Sequence, residues 1–354
     1  MRNLRLLFLG IGLITGLSVD AQTANITTYG LEAGTSTVTS GSSYYGYQAG
    51  KTVNPATPAM NNTFIGHQAG KNITSGGYNT FIGYGAGINT TTSNTNTFIG
   101  ISSGSYNNGN SNAGVGQNAL SIPSSGSASS FSAALGVGAG QAVQGNNNTF
   151  VGYNAGIFAN GSDNVMIGNR AGYSNYGSGP YTGSGNILIG NSAGSGMGLN
   201  NKLFIDNSST TTPLIWGDFA TDQLKLNGKT GIGLGTAAFP TLASGVNISA
   251  YNLFVKGGIL TEEVRITLGS DWADYVFTKD YILKPLQEVE QFITTNGHLP
   301  NVPSAQKVKE EGIELGDMAR IQQEKIEELT LYLIQQHKEI EAMKGQIKAL
   351  TDKK

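Results

Sequence analysis

A short segment built on Asn-Thr-Phe-Ile-Gly recurs along this chain, and that recurrence limits the fold more than any other feature. The copies are NTFIGHQAG, NTFIGYGAG, NTFIGISSG, NTFVGYNAG, NVMIGNRAG and NILIGNSAG, with SYYGYQAG, NAGVGQNAL and SAALGVGAG as looser relatives. Their central glycines are Gly46, Gly66, Gly83, Gly100, Gly116, Gly136, Gly152, Gly168 and Gly190, 16 to 22 residues apart. Self-similarity at a near-fixed period is the mark of a solenoid. A unit this short and this rich in glycine cannot hold a helical hairpin, so each coil is expected to consist of a short strand and glycine turns. Nine coils rising ~4.8 Å each would give a roll roughly 43 Å long.

Each repeat places two large apolar side chains side by side, and successive strand residues face opposite sides, so only one of them can be interior. The residue before the glycine is bulky in every copy (Tyr45, Ile65, Ile82, Ile99, Val115, Leu135, Val151, Ile167, Ile189) and is expected inside. The neighbouring column of Phe64, Phe81, Phe98, Phe150, Met166 and Leu188, interrupted at Gly114 and Ala134, would then face outward as an apolar stripe that another surface must cover, either further subunits or, in a flattened coil, the chain's own loops. Ala69, Ala86, Ala155 and Ala171 suit the narrow side of the coil. Asn62, Asn79, Asn96, Asn112, Asn148, Asn164 and Asn186 are expected to tolerate left-handed turn geometry and to bond amide to amide along the axis.

On these residues the chain resembles the head of trimeric autotransporter adhesins, whose short repeats contain a strand ending in Ile-Gly or Val-Gly followed by Ala. NTFIGYGAG and NVMIGNRAG carry the resemblance, which covers roughly residues 43 to 205. It implies a left-handed parallel β-roll packed as a homotrimer. Those adhesins end in a membrane β-barrel segment, whereas this sequence ends in KALTDKK, so attachment by that route is not expected.

Charge divides the chain. Thirty of its 44 charged residues lie in residues 251 to 354, and between Gln22 and Asn201 only Glu32, Lys51, Lys71, Asp163 and Arg170 are charged. No basic patch forms, which argues against a nucleic-acid partner. Arg2 and Arg5, the apolar stretch from Leu6 to Val19 and the small residues before Gln22 read as an export signal over residues 1–21, too short for a spanning helix. There is no cysteine, so a lipid-modified cysteine and a disulfide framework are both excluded.

The remaining organisation is a lead-in (22–42), the β-roll (43–205), a β-rich neck (206–250), a small α/β module (251–314) and a coiled coil (315–354). The neck is expected to turn at Asn227-Gly228, and YNLFVKGGILTEEVRITL to give two strands about Gly257-Gly258. A helix is expected from Leu286 to Thr294, stopped by Asn296-Gly297. From Leu315 the apolar spacing is heptadic, with Ala319, Ile326, Leu333, Ile340 and Ile347 at a, and Leu315, Gln322, Leu329, Gln336, Met343 and Leu350 at d.

The stretch from GSDWADYVF through NGHLPNVPSAQKVKEEGIELGDM to KIEELTLYLIQQ is similar to the C-terminal region of secreted tail-fibre-like proteins, and distantly to the intramolecular chaperone of phage tail fibres and endosialidases. That chaperone cleaves itself with Ser-Asp and a Lys five residues after the Ser. Ser270-Asp271 match, but the Lys position is Tyr275, so the activity does not carry over, and a helix cap before Trp272 is the favoured role for the pair. Gly228-Lys229-Thr230 lacks the earlier glycine of a phosphate loop, having Gln223 there. His67, His298 and His337 form neither a metal cluster nor a nucleophile-base pair by spacing. The expectation is therefore a non-enzymatic, cofactor-free, exported homotrimer for surface display or adhesion, with no transmembrane anchor after signal cleavage and a glycan or surface protein as ligand. A self-processing fibre and a glycan-degrading enzyme stand behind it, the latter needing converging carboxylates that the roll lacks.

Overall fold

The computed structural model describes residues 27–35, 41–54, 59–123, 128–174, 183–243, 245–267 and 272–352; the expected export signal and Ser270-Asp271 lie outside them. The chain forms two compact units, Met1–Gly228 and Lys229–Lys354.

In the first unit, the strands β1 (Thr27–Tyr29), β2 (Ser43–Tyr45), β3 (Thr63–Ile65), β4 (Thr80–Ile82), β5 (Thr97–Ile99), β6 (Ala113–Val115), β7 (Ala133–Leu135), β8 (Thr149–Val151), β9 (Val165–Ile167), β10 (Ile187–Ile189) and β11 (Lys202–Ile205) stack in chain order. Every neighbouring pair among them is parallel, and the repeats align residue for residue, as in Phe64 beside Phe81 beside Phe98. This is the parallel β-solenoid that the repeat calls for. It starts earlier than expected: TTYGLEAG, containing β1, is a further coil inside the lead-in segment, hidden because it lacks the Asn-Thr start.

The two apolar columns are the reverse of the sequence expectation. Phe64, Phe81, Phe98 and Phe150 are fully buried, whereas Ile65 is 41% and Leu135 55% exposed. The rings stack along the axis, with centroids 4.9 Å apart for Phe64–Phe81 and 5.2 Å for Phe81–Phe98. Parity explains the reversal. The asparagine lies two residues before the Phe and so shares its face, and that asparagine is itself buried: Asn62, Asn79 and Asn96 have no exposed surface.

Each asparagine is held from both directions. Asn79 donates its backbone N–H to the Asn62 Oδ1 at 2.8 Å and its side-chain amide to the same oxygen at 3.1 Å and to the Ser93 carbonyl at 2.8 Å. Asn96 repeats this on Asn79 and on the Gly109 carbonyl. The expected amide ladder thus forms. The left-handed turn residue, however, is the one before the asparagine, such as Tyr78 (φ 61°) and Thr95 (φ 56°).

The central glycines form a spine where coils meet backbone to backbone. At Gly83, φ is +134°, and a Cβ there would lie 2.6 Å from the Gly100 carbonyl oxygen, so both conformation and space demand glycine. Where the interior column shrinks to Gly114 and Ala134, the lost volume is returned by Leu120, which replaces the usual turn glycine and is 1% exposed. Close packing is thereby kept across the weakest repeats.

The hairpin of β12 (Ile215–Asp218) and β13 (Gln223–Leu226) closes the stack, with β12 antiparallel to β11 and Trp216 packed against the core beside Phe204. The hairpin covers the edge of the last coil and leaves the exposed, lysine-bearing β13 as the outermost strand. Its turn spans residues 219–222 rather than Asn227-Gly228: β13 already runs back to Leu226, so that pair only links it to the next unit.

The second unit holds a parallel pair, β14 (Thr230–Ile232) with β17 (Leu253–Val255), and a small hairpin, β15 (Leu242–Ala243) with β16 (Val246–Asn247). A 3-10 turn (Ala273–Phe277) precedes α1 (Leu286–Asn296), α2 (Ala305–Glu311) and α3 (Leu315–Thr351). Helix α1 appears as expected and closes on Gly297 in the left-handed conformation. Helix α2 was not anticipated; Ser304 caps it by accepting the Lys307 N–H at 3.1 Å. The strand expected after Gly257-Gly258 does not form, whereas the one before it does.

Because the Phe81 ring packs inside its own chain, Phe81→Ala should cost about 3–5 kcal/mol. Denaturant titration should show the same loss at every protein concentration; a loss that vanished on dilution would contradict the column assignment.

Candidate interaction surfaces

With Phe inside, the outer face of the roll carries three aligned columns: the residue three before the glycine (Thr63, Thr80, Thr97), the one before it (Ile65, Ile82, Ile99) and the one after it (Tyr47, His67, Tyr84, Ile101). His67 is stacked between Tyr47 and Tyr84, with ring centroids at 5.1 and 4.9 Å. Farther along, Val115, Leu135, Val137 and Ile167 are exposed in the same columns, the column after the glycine being interrupted by Gln117 and ending in Asn169 and Asn191. An exposed apolar face of this kind marks an interaction site. The phenylalanine column, for which the sequence reading expected cover from another surface, is covered within its own chain, and the isoleucine column is the one left exposed.

A second, polar edge runs through Asn94, Asn110, Ser130, Asn146, Ser162, Ser184 and Asn200, whose side-chain oxygens accept backbone N–H groups of the preceding coil at 2.8–3.1 Å. These acceptors already hold coil to coil.

In the second unit two glutamates turn inward. Glu324 and Glu327, on α3, are each 4% exposed. Glu324 accepts from the Tyr275 hydroxyl, from Asn301 Nδ2 at 3.1 Å and from Lys325 Nζ at 2.7 Å. Lys325 also reaches Glu328 at 2.8 Å, and Glu328 accepts from the Tyr281 hydroxyl. Burial alone would raise the Glu324 carboxyl, but its hydrogen bonds from Lys325, Tyr275 and Asn301 outweigh burial and hold it below the usual carboxylate range. Burial and then Glu324 push the Tyr275 hydroxyl up. Burial opposes the Lys325 charge, yet Glu324 and Glu328 keep that amine above its ordinary value.

Tyr275 is therefore a clamp on α3 that keeps its proton. The opposite side of α3 presents the heptad residues: Ile326, Leu329, Leu333, Ile340, Met343 and Ile347 are all exposed. These heptad residues are uncovered, while Glu324 and Glu327 on the other side are packed; from Leu333 onward the helix, with Glu339, Glu341 and Lys344, is exposed all round.

A cleft of about 680 Å³ opens between the β15–β16 hairpin and α2–α3, with an apolar floor that includes Val246, Ile248, Val302 and Met318 and a rim that includes Lys307, Glu311 and Asp317. His298, at this cleft, is engaged with the Leu299 carbonyl at 2.9 Å and edge-on to Phe292. His337 is exposed on α3. Lys229 of the Gly-Lys-Thr triplet donates to the Ser249 carbonyl, and a strand follows it rather than a helix. Among the described residues no group of three His, Cys, Asp or Glu could hold a metal ion, and no helix is long and apolar enough to cross a membrane.

No family model matches the sequence, and no curated protein or solved structure is significantly similar to it.

The Glu324 network fixes a pH dependence. A carboxyl held low in the folded state adds stability above its unfolded value of about 4.3 and loses it as pH falls through the folded value. Tyr275 and Lys325, held high, add stability that is present below about pH 10 and lost as pH rises further. Far-UV circular dichroism should show the helices of the second unit destabilised by acid below about pH 4, and Glu324→Gln should flatten that dependence. An unchanged acid transition in the variant would contradict it.

Proposed function

We propose that this chain is an exported, homotrimeric fibrous protein for surface display or adhesion, with a left-handed roll and a terminal coiled coil. The observation that carries the reading is on α3, where Glu324 and Glu327 are buried while Ile326, Leu329 and Leu333 of the heptad seam are left in water. A helix with that inversion gains by seating its apolar seam on copies of itself. The roll supports the same reading independently, since its exposed isoleucine column is a second apolar face on the same chain. Trimeric order follows from the resemblance to adhesin heads, and Ile at three of five a positions is compatible with it.

The ligand proposed is a glycan or a surface protein, met by exposed side chains away from the seam. Tyr78 and Phe131 are 62% and 64% exposed and sit on left-handed turn residues, which offers aromatic faces for stacking. No catalytic role is assigned to any residue.

Sedimentation of the full chain at micromolar concentration should give a trimer, and replacing Ile326 and Ile340 by Asp should disperse it, since six charges would enter the seam without an offsetting cation. A wild-type monomer would refute the assembly. Cell fractionation with a glycan array tests the rest: surface or medium location with selective binding is expected, and a protein kept inside the cell would exclude display.

A further inference from the structure

The segment after Gly257-Gly258, residues 259–267, reads as a strand and has nothing to pair with. Val264 and Ile266 alternate with Glu263, Arg265 and Thr267, the pattern of a half-buried strand. All of residues 258–267 are exposed, with Ile259 at 69%, Val264 at 63% and Leu260 fully in water. Among the described residues no backbone hydrogen bond joins this segment to another, and the Thr261 hydroxyl bonds only locally, to the Glu263 carbonyl.

Next to it in sequence lies a sheet with a matching deficit. β14 and β17 form a two-stranded parallel pair, too small to be stable by itself. Thr230 donates to Asn252 and Lys256 to Ile232, so β17 pairs through alternate residues, and the backbone groups of Leu253 and Val255 fall on its outer edge. Leu253 is itself more than half exposed. A hairpin about Gly257-Gly258 would fill this edge from within the chain. Instead Gly257 takes φ +124°, and nothing lies within 4 Å of where a Cβ would stand on either glycine.

We propose that residues 259–267 of one copy add as a strand to the outer β17 edge of a neighbouring copy. Each chain then offers one strand and one acceptor edge, a head-to-tail exchange that closes into a ring in a cyclic oligomer. Charge fits the pairing: Lys256 ends the acceptor strand, and Glu262 and Glu263 lie in the donor. Insertion would cover Val264 and Ile266 on one face and satisfy the edge carbonyls and amides of both strands. The inference rests on the oligomer proposed above and adds that the chains are interlaced through this segment.

Hydrogen–deuterium exchange on the full chain, read by mass spectrometry alongside its light-scattering mass, tests it. In the assembled protein, peptides covering 259–267 and β17 should exchange at least tenfold more slowly than an unstructured reference. In the dispersed Ile326→Asp/Ile340→Asp variant the 259–267 peptide should lose that protection, and β17, still paired with β14, should lose it in part. An assembled protein whose 259–267 peptide exchanges at the unstructured rate would overturn the strand exchange and leave the oligomer standing. Protection of the 259–267 peptide that survives in the dispersed variant would mean pairing within one chain and would overturn it too. A monomeric wild type would overturn both.

Discussion

The first unit depends on a ladder of buried amides. An asparagine with no exposed surface is tolerable only if its donors and acceptor are satisfied, and here each is satisfied by the coils on either side. A one-residue slip would leave those groups unpaired and would turn every side chain to the opposite face. The ladder therefore fixes register, and register fixes which apolar column is inside. Ser42 and Ser132 continue it where asparagine is missing, accepting the Asn62 and Asn148 N–H groups at 3.1 and 3.3 Å.

From that register the outer face follows. With asparagine and phenylalanine turned inward, threonine, isoleucine and the residue after the glycine must turn outward, and the roll cannot hide its own isoleucines. The second unit arrives at a similar condition by different means. The 3-10 turn and the loop at Asn301 engage the charged side of α3 through Tyr275 and Glu324, which leaves the heptad side without a partner. Both units carry polar networks inside and leave apolar residues exposed outside, a shared condition that the proposed self-association would relieve.

Much of this was legible in the sequence. The period gave the coils, the asparagine column gave the ladder, Asn296-Gly297 gave the end of α1, and the heptads gave a long helix. The inside-outside choice was not legible from the Phe-Ile pair, since both residues are apolar and alternation alone cannot rank them. The signal that decides it was present in the asparagine column, because a stacked amide ladder implies burial and parity then places phenylalanine beside it. Helix α2 was missed because seven residues between Pro303 and Gly312 carry no periodic signal, although Ser304 is a recognisable cap. The clamp of Tyr275 on Glu324 joins residues 49 apart and has no local signature at all.

The central claim is that the isoleucine column of the roll is covered by other copies of the chain. Since the chain has no cysteine, a single Ile99→Cys thiol reports on that column alone, with Thr92→Cys as an exposed control. The rate of thiol modification should be slow for Ile99→Cys in the assembled protein and rise to that of the control once the protein is diluted below its dissociation range. Equal, fast modification of both at every concentration would mean that nothing covers the column, and the account would fail.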